Sequence, residues 1–186
     1  MRVHIVGASG SGTTTLGRAL AARLGCPHLD TDDFFWMSSD PPFQEIRERE
    51  ARQALLGAEL DRHRRWVLSG SLCGWGDVFI PRFELVVFLW VPPSVRLARL
   101  RVREQARYGA AIEPGAPLHE RFTRFMAWAA GYDDGLDVPE RCRRLHEQWL
   151  ARLPCPVLRL EGGESVEERL GRIGYHLGPD PGGGDA

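Results

Sequence analysis

The stretch HIVGASGSGTTTLGRAL, residues His4 to Leu20, decides how the rest of the chain is interpreted. Apolar residues typical of a buried strand lead into a glycine-rich turn. The turn opens into a helical pattern over residues 13–24, with Leu16, Leu20 and Leu24 on one face. A strand, a glycine loop and a helix in this order are typical of a loop that directs main-chain N–H groups at a phosphate.

The loop matches G-x-x-x-x-G-K-[ST] at Gly7, Gly12 and Thr14, but it has Thr13 where the pattern has lysine. That lysine would supply a positive charge to the β- and γ-phosphates, whereas threonine can only hydrogen-bond. Its loss would cost a factor on the order of 10²–10³ in rate unless another cation replaces it. A glycine turn without a ligand is the alternative. The predicted nucleotide-binding residues are Gly7, Ser9, Gly10, Ser11, Gly12, Thr13, Thr14 and Thr15, with the Thr14 hydroxyl placed to ligate Mg²⁺.

Composition narrows the class of protein. The chain has 186 residues, 43% of them hydrophobic, and a net charge of -1, which fits one compact domain without a strong attraction to nucleic acid or membrane. All 24 basic residues counted as Lys+Arg are arginine. The four cysteines lack metal or C-x-x-C spacing, and no signal or membrane segment is evident. We therefore expect a cytoplasmic protein with no nucleic-acid or membrane partner; its oligomeric state is not indicated.

Short apolar runs alternate with helical stretches, which favours an α/β fold: a five-stranded parallel sheet with helices on both faces. We expect one domain over residues 1–177 with a small lid around 103–118, followed by a disordered tail over 178–186. The predicted strands are 3–6, 26–30, 65–70, 85–91 and 156–160. The predicted helices are 13–24, 44–60, 94–107, 118–131, 138–152 and 165–177.

Acidic residues follow the second predicted strand, in HLDTDDFFW from His28 to Trp36. Parallel sheets bind ligands beyond the carboxyl ends of their strands, and clustered carboxylates favour a cation or substrate hydroxyls nearby. We expect Asp30 to hold Mg²⁺ through water and Asp30 or Asp32 to position the acceptor oxygen. Asp33 and Trp36 are predicted to contact the acceptor. Helix capping by one aspartate, with the aromatic residues in the core, is the alternative.

Arg99, Arg103 and Arg107 lie four residues apart on one helical face that leads into a Gly/Pro-rich segment. Such a face suits a lid that closes on phosphates, and Arg103 and Arg107 are predicted to supply the charge that Thr13 lacks. The alternative is a solvated face paired with Glu104. After the third strand, the small residues Ser69-Gly70-Ser71 would let a ligand approach the backbone, unless they form a plain glycine loop.

With these motifs in place, the chain resembles P-loop kinases of the adenylate kinase and shikimate kinase group over roughly residues 1–175. It is especially similar to bacterial adenylate kinase-like proteins, although its P-loop is atypical. Asp30-Thr31-Asp32 resembles the D-[ST]-D segment of shikimate kinases. That resemblance implies a role for Asp30 near Mg²⁺ and the acceptor, and a substrate-holding role for Asp32.

The same resemblance implies further roles and the order of the sheet. It implies substrate-binding roles for Ser69, Gly70 and Ser71, anion-binding roles for Arg47 and Arg82, and lid roles for Arg103 and Arg107. The implied strand order is 2-3-1-4-5, and the implied cofactors are ATP and Mg²⁺.

Three functions therefore compete. The first is Mg²⁺-assisted transfer of a phosphoryl group from ATP to a small metabolite or nucleotide. The second is a nucleotide-binding module with weak or no catalysis, and the presence of Thr13 in place of the P-loop lysine favours this alternative. The third is an NAD(P)-binding domain, since VGASGSG is similar to the turn of such domains.

Overall fold

The computed structural model describes residues 1–135 and 141–177. Its sheet has five strands: β1 (Arg2–Gly7), β2 (His28–Asp30), β3 (Trp66–Ser69), β4 (Leu85–Trp90) and β5 (Val157–Glu161). Every neighbouring pair is parallel, in the order β2-β3-β1-β4-β5. The predicted fold class and strand order are thereby confirmed. Because β3 lies between β1 and β2, the topology differs from the 3-2-1-4-5-6 order of dinucleotide-binding domains and argues against the NAD(P) hypothesis.

Helices cover both faces of the sheet. They are α1 (Thr13–Leu24), α2 (Thr31–Phe35), α3 (Arg49–Asp61), α4 (Pro93–Tyr108), α5 (His119–Ala130), α6 (Arg143–Leu150) and α7 (Val166–Leu177). Short 3₁₀ helices span Asp77–Arg82 and Gly109–Ile112. Within the described residues, no helix combines the length and apolar character needed to cross a membrane.

Two apolar cores form because residues that alternate along each strand point to opposite faces of the sheet. Val3 and Ile5 pack on one face with residues of α1 and α7. Val6 packs on the other face with Trp66 and Trp149. The three central strands β1, β3 and β4 are buried on both faces, as expected for a parallel sheet covered by helices, whereas the edge strands β2 and β5 are only partly buried. This packing fixes the loops at the carboxyl ends of the strands, where the site forms.

Two expectations about helices are corrected. Residues 44–48 are not helical: Arg47 N donates to Phe35 O and Met37 N donates to Glu45 O, so main-chain pairing across this loop competes with the helix. The five-residue helix α2 was not predicted, but the alternative of helix capping by one aspartate is present: Asp30 caps α2 and accepts a hydrogen bond from Asp32 N at 3.1 Å. The expected tail at 178–186 and the start of the helix predicted over 138–152 lie outside the described residues.

Candidate active site

The P-loop connects β1 to α1 and is packed tightly against β4 and α4. Gly10 has a φ of 80°, and a Cβ there would lie 2.7 Å from Arg96 O, so only glycine fits without a shift. Gly12 caps α1 in the left-handed conformation and offers no side-chain oxygen to the first helical turn. The first N–H groups of α1 therefore point out of the helix without an intrahelical acceptor, which makes this end suitable for an anion.

A buried hydroxyl in the same loop also has no partner. Ser11 is fully buried, and its Oγ makes no hydrogen bond within the described part of the chain. Arg99 approaches from α4, where its Nη1 donates to Ser11 O at 3.4 Å. Although Ser11 N donates to Ala8 O at 3.1 Å, a loop with the first N–H groups of a helix, an unpartnered hydroxyl and an adjacent guanidinium fits a polyphosphate. The sequence-predicted residues from Gly7 to Thr15 are brought together here.

Thr14 and Asp30 meet directly beside the loop. Thr14 Oγ1 donates to Asp30 Oδ2 at 2.8 Å, and Ser69 Oγ donates to the same oxygen at 3.4 Å. His28 Nε2 is 2.9 Å from Ser69 Oγ, which extends the chain of hydrogen bonds away from the loop. A hydroxyl and a carboxylate are oxygen ligands of the kind Mg²⁺ prefers, usually with waters and phosphates completing the shell. No cluster of three or more His, Cys, Asp or Glu suited to a metal occurs among the described residues.

A cavity of about 560 Å³ adjoins the P-loop at Ser9. It lies between the α2 region on one side and α4 and α5 on the other. Four sequence-predicted residues besides Ser9 line it: Asp32, Trp36, Arg103 and Arg107. The structure thus joins the P-loop, one predicted catalytic carboxylate and both predicted lid arginines around one cavity. A cavity of this size accommodates a small metabolite.

Asp32 faces this space in an electrostatically unusual position. Its side chain reaches the water of the cavity, but protein surrounds it, and this loss of hydration raises the pKa of its carboxyl above the ordinary value. The neighbouring Asp30 raises the pKa further, while Arg141 and Arg103 oppose the rise. An acid with a raised pKa beside a cavity is a candidate for proton transfer or for hydrogen bonding to an acceptor hydroxyl.

Arg103 and Arg107 share one acidic partner. Arg103 Nε donates to Glu104 Oε1 at 2.9 Å, and Arg107 Nη1 donates to the same oxygen at 3.4 Å. Glu104 is 6% exposed and belongs to the cavity wall. The pairing with Glu104, which the sequence left as an alternative to a lid, is therefore present. It does not remove the arginines from the cavity, because both guanidinium groups still line it.

The serines at the end of β3 and just after it lie next to the site but not in the cavity wall. Ser69 and Ser71 are buried, and neither lines the cavity. Ser71 Oγ is 3.1 Å from His146 Nε2, and Tyr132 OH is 2.7 Å from His146 Nδ1. Burial lowers the pKa of His146 to about 3, so the imidazole is neutral near pH 7. Ser69 and Ser71 therefore make internal hydrogen bonds in the structure, and their role in substrate binding stays a prediction.

Gly70 is required for a close approach between two loops. Its φ is 111°, and a Cβ there would lie 1.9 Å from Thr31 Oγ1. Thr31 is buried between Asp30 and Asp32 in the chain. Gly70 thus lets the loop after β3 lie against the segment that carries both carboxylates.

Besides the residues after β3, three more predicted substrate-binding residues lie outside the cavity wall. Arg47 donates from Nε to Phe34 O and from Nη2 to Trp36 O, each at 3.1 Å, so its guanidinium holds the backbone near α2. Arg82, just before β4 begins, pairs at 2.7 Å with Asp61, the last residue of α3. Arg82 therefore lies near the amino-terminal ends of the strands, whereas the P-loop lies at their carboxyl-terminal ends. Asp33 is exposed next to the site but does not line the cavity.

The sequence missed a second wall of the site, which α5 and its neighbours supply. Arg121 lies in the first turn of α5, with Phe125 and Trp128 following at helical spacing, and all three line the cavity together with Phe43 and Arg141. The i, i+4, i+7 spacing of Arg121, Phe125 and Trp128 was a visible signal of one shared face. Nothing in the sequence showed that this face turns toward the P-loop.

The fold and the site together define a nucleotide-binding domain of the P-loop class. A family model described as "AAA domain" matches residues 3–113, and the chain belongs to that family. It is 48% identical over 172 residues to "Uncharacterized protein YqaC" of Bacillus subtilis, covering 92% of this chain and 94% of that one.

Characterised relatives are kinases of small molecules. A shikimate kinase of Thermosynechococcus vestitus is 34% identical over 137 residues, which is 67% of this chain and 70% of that one. A cytidylate kinase of Archaeoglobus fulgidus is 26% identical over 140 residues, 69% and 75% of the two chains. The crystal structure of a shikimate kinase from Bacteroides thetaiotaomicron superposes with a TM-score of 0.57 at 21% identity, covering 95% and 98%, and supports the shared fold. The chain is a P-loop kinase of the adenylate kinase and shikimate kinase group, as its motifs predicted.

Proposed function

We propose that the protein transfers the γ-phosphoryl group of ATP, with Mg²⁺, to a small molecule bound in the cavity beside Ser9. The observation that carries this proposal is the shared boundary between the P-loop and the cavity, where Ser9, Asp32, Arg103 and Arg107 line one space. Phosphoryl transfer needs little covalent chemistry from the protein and depends on positioning and charge stabilisation. A donor site that opens onto an acceptor site satisfies the positioning requirement.

The main-chain N–H groups from Gly10 to Thr14 would hold the polyphosphate at the start of α1. Gly12 leaves the first helical N–H groups unpaired, and the helix dipole adds partial positive charge at the same end. The buried Ser11 hydroxyl supplies one more unpartnered group. These donors are fixed before the ligand arrives, so little reorganisation is needed on binding.

Thr14 and Asp30 would hold Mg²⁺, with Asp30 acting through water. The 2.8 Å hydrogen bond between Thr14 Oγ1 and Asp30 Oδ2 supports this assignment, because both oxygens lie beside the P-loop. A bound Mg²⁺ would neutralise charge on the β- and γ-phosphates. Asp30 is oriented by Asp32 N and Ser69 Oγ, so its carboxylate is held in one direction.

Asp32 would orient the acceptor hydroxyl and receive its proton. Asp32 and Glu104 both line the cavity, but Glu104 is paired with Arg103 and Arg107, and the raised pKa of Asp32 brings its proton affinity closer to that of a working base. Arg103 and Arg107 would provide the charge that Thr13 cannot. They approach the same space from α4, and Glu104 keeps them oriented.

The lid that the sequence predicted around residues 103–118 remains part of the proposal. This segment contains the last turns of α4, the 3₁₀ helix Gly109–Ile112 and successive turns before α5. It covers the cavity from the side opposite α2. Closure over the ligands would exclude water, which otherwise competes with the acceptor for the phosphoryl group. We also assign the protein to the cytoplasm, where ATP is available.

The substitution at Thr13 favours one alternative: a module that binds nucleotide without turnover. An assay that separates the two follows ATP, Mg²⁺ and a pool of small metabolites by ³¹P NMR. The proposal predicts that ATP is converted to ADP with a new phosphorus resonance on one added compound, and that Asp30→Asn abolishes it. Asp61→Asn, which alters a carboxylate at the opposite edge of the sheet, serves as the matched control. ADP binding without transfer to any compound would favour the binding module.

A further inference from the structure

A histidine contacts the hydrogen-bond network of Asp30 from the side away from the P-loop. His28 begins β2, and its Nε2 lies 2.9 Å from Oγ of Ser69 on the neighbouring strand β3. Ser69 Oγ in turn lies 3.4 Å from Asp30 Oδ2. Because side chains two positions apart on a strand point to the same face, His28 and Asp30 can both reach Ser69. Neither His28 nor Ser69 lines the cavity, so both belong to the support of Asp30.

The hydrogen bonds of Ser69 decide which ring nitrogen of His28 carries the proton. A serine hydroxyl has one proton, and an ionised carboxylate can only accept. The bond to Asp30 therefore uses the Ser69 proton, and His28 Nε2 must donate to the Ser69 oxygen. With the other neutral tautomer, Ser69 would donate to the imidazole and would present a bare oxygen to the carboxylate. The charge of Asp30 favours the first arrangement, because hydrogen bonds to ionised groups are the stronger ones.

The Ser69 hydroxyl depends on His28 for its direction. Its 3.4 Å separation from Asp30 Oδ2 is long for a hydrogen bond, so the carboxylate alone holds it weakly. Ser69 is fully buried, which removes water as an alternative partner. An N–H donated by His28 occupies a lone pair of the Ser69 oxygen, and the hydroxyl proton is then left to point at Asp30.

Helix α1 leaves room for this approach. A Cβ at Gly17 would lie 2.7 Å from His28 Nε2 and 3.2 Å from Ser69 Cβ. Gly17 lies in the interior of α1, where glycine is less favourable than alanine. The missing side chain is therefore explained by the imidazole that occupies its place.

The orientation of Asp30 matters because the same oxygen accepts the proton of Thr14. Thr14 Oγ1 donates to Asp30 Oδ2 at 2.8 Å, which leaves the lone pairs of the hydroxyl for a cation. Asp30 Oδ1 accepts from Asp32 N, so the contact from Ser69 completes the support of the carboxylate. Groups that hold metal ligands in place set the affinity for the metal as well as the ligand geometry.

We infer that His28 is a positioning residue: its Nε2–H fixes the Ser69 hydroxyl as a donor to Asp30 and thereby sets how tightly the site binds Mg²⁺ with a nucleotide. The inference rests on the proposed function for the Mg²⁺ role of Asp30. It is measured by the ring tautomer and by binding, without turnover.

Two measurements on the full chain test it. The first is ¹⁵N NMR at about pH 8, where an ordinary histidine is neutral; the signals of His28 are identified by their loss in His28→Gln. We expect the proton on Nε2 in the free protein, and a proton on Nδ1 would overturn the inference even if a variant failed to fold. The second is calorimetry with a non-hydrolysable ATP analogue. Its readout is the ratio of the Kd values without and with Mg²⁺, because a general loss of packing weakens both values together.

Substitutions at two positions should lower this ratio. His28→Phe removes the donor and should lower it about tenfold, whereas His28→Gln, which retains an N–H donor, should keep most of it. Gly17→Ala should act like His28→Phe, because the added methyl group displaces the imidazole. His176→Phe and Gly171→Ala, at exposed positions on α7, are the matched controls and should leave the ratio unchanged. An unchanged ratio in His28→Phe, or equal losses in His28→Phe and His28→Gln, would overturn the inference.

A double-mutant cycle shows whether His28 acts through Ser69. In a Ser69→Ala background, His28→Phe should lower the Mg²⁺ ratio no further, and additive losses would contradict the inference.

Failure of the inference and failure of the proposed function give different results. If the cycle behaves as expected but ATP yields no phosphoryl transfer, the inference stands and the kinase proposal falls. If transfer occurs and depends on Asp30 while His28→Phe leaves the Mg²⁺ ratio unchanged, the kinase proposal stands and the inference falls.

Discussion

Removing the charge of Arg103 and Arg107 tests whether these residues replace the missing P-loop lysine. The double change Arg103→Ala/Arg107→Ala also leaves Glu104 without the two partners that it has in the structure. Glu104 is 6% exposed, so an unpaired charge there is costly. We expect a loss of about 2–3 kcal/mol in the free energy of unfolding, below that of a fully buried pair because both arginines reach solvent. In the double variant alone, a loss of activity could therefore result either from lower stability or from a direct effect on catalysis.

Adding Glu104→Gln removes the uncompensated charge, so the triple variant should recover most of that stability in urea unfolding. Its kcat for phosphoryl transfer should nevertheless fall by a factor on the order of 10²–10³, since charge developing in the transition state loses two nearby cations. The Kd for MgADP, measured by calorimetry, should change by less than about tenfold. Arg101→Ala, at an exposed position elsewhere on α4, is the control and should retain wild-type kcat. A stably folded triple variant with full kcat would show that these arginines do not compensate for Thr13.

Three further outcomes are expected. Gly70→Ala should lower the free energy of unfolding, measured in urea, by about 2–4 kcal/mol, because a Cβ would lie 1.9 Å from Thr31 Oγ1 at a positive φ. The control Gly171→Ala, which adds a methyl group in open space on a helix, should raise the free energy of unfolding by about 0.5–1 kcal/mol. Equal effects of the two changes would refute the steric argument. Thr13→Lys should preserve MgADP binding by calorimetry, since the loop amides remain; loss of binding would show that the loop cannot admit a lysine. In a plot of kcat/KM against pH, activity should fall on the acid side with a midpoint above the ordinary aspartate pKa, because burial raises the pKa of Asp32 and only its ionised form accepts a proton. Asp32→Asn should remove this acid limb together with most of the activity. An unchanged acid limb in the variant would assign the limb to another group.

The sequence was a reliable guide to the sheet because its signals are local. The central strands β1, β3 and β4 are short, mainly apolar runs buried on both faces, and the glycine loop specifies both the end of β1 and the start of α1. Helix α1 was predicted at its observed bounds, Thr13–Leu24. The predicted start of α3 was wrong because the main-chain hydrogen bonds of Arg47 and Met37 compete with the helix. These bonds join residues that are about ten positions apart, so a local sequence pattern does not reveal them.

Part of the site was predictable because it follows directly from strand ends: Ser9 and Asp32 lie there, and the structure brings both to the cavity. Helical spacing on α4 also pointed to Arg103 and Arg107, which line the same cavity. Arg121 comes from a helix whose orientation depends on packing between α4 and α5, which no local pattern encodes. Arg82 was predicted to lie at the site, but the chain before it returns to the amino-terminal ends of the strands, and residue spacing does not show this path.

The central claim is that main-chain N–H groups of the P-loop hold the triphosphate although lysine is absent. A crystal structure of the full chain with a non-hydrolysable ATP analogue and Mg²⁺ tests it most directly. We predict the β-phosphate within hydrogen-bonding distance of the N–H groups of Gly10 to Thr14, and Mg²⁺ about 2.1 Å from Thr14 Oγ1. A triphosphate bound away from Gly7–Thr14 would contradict the claim.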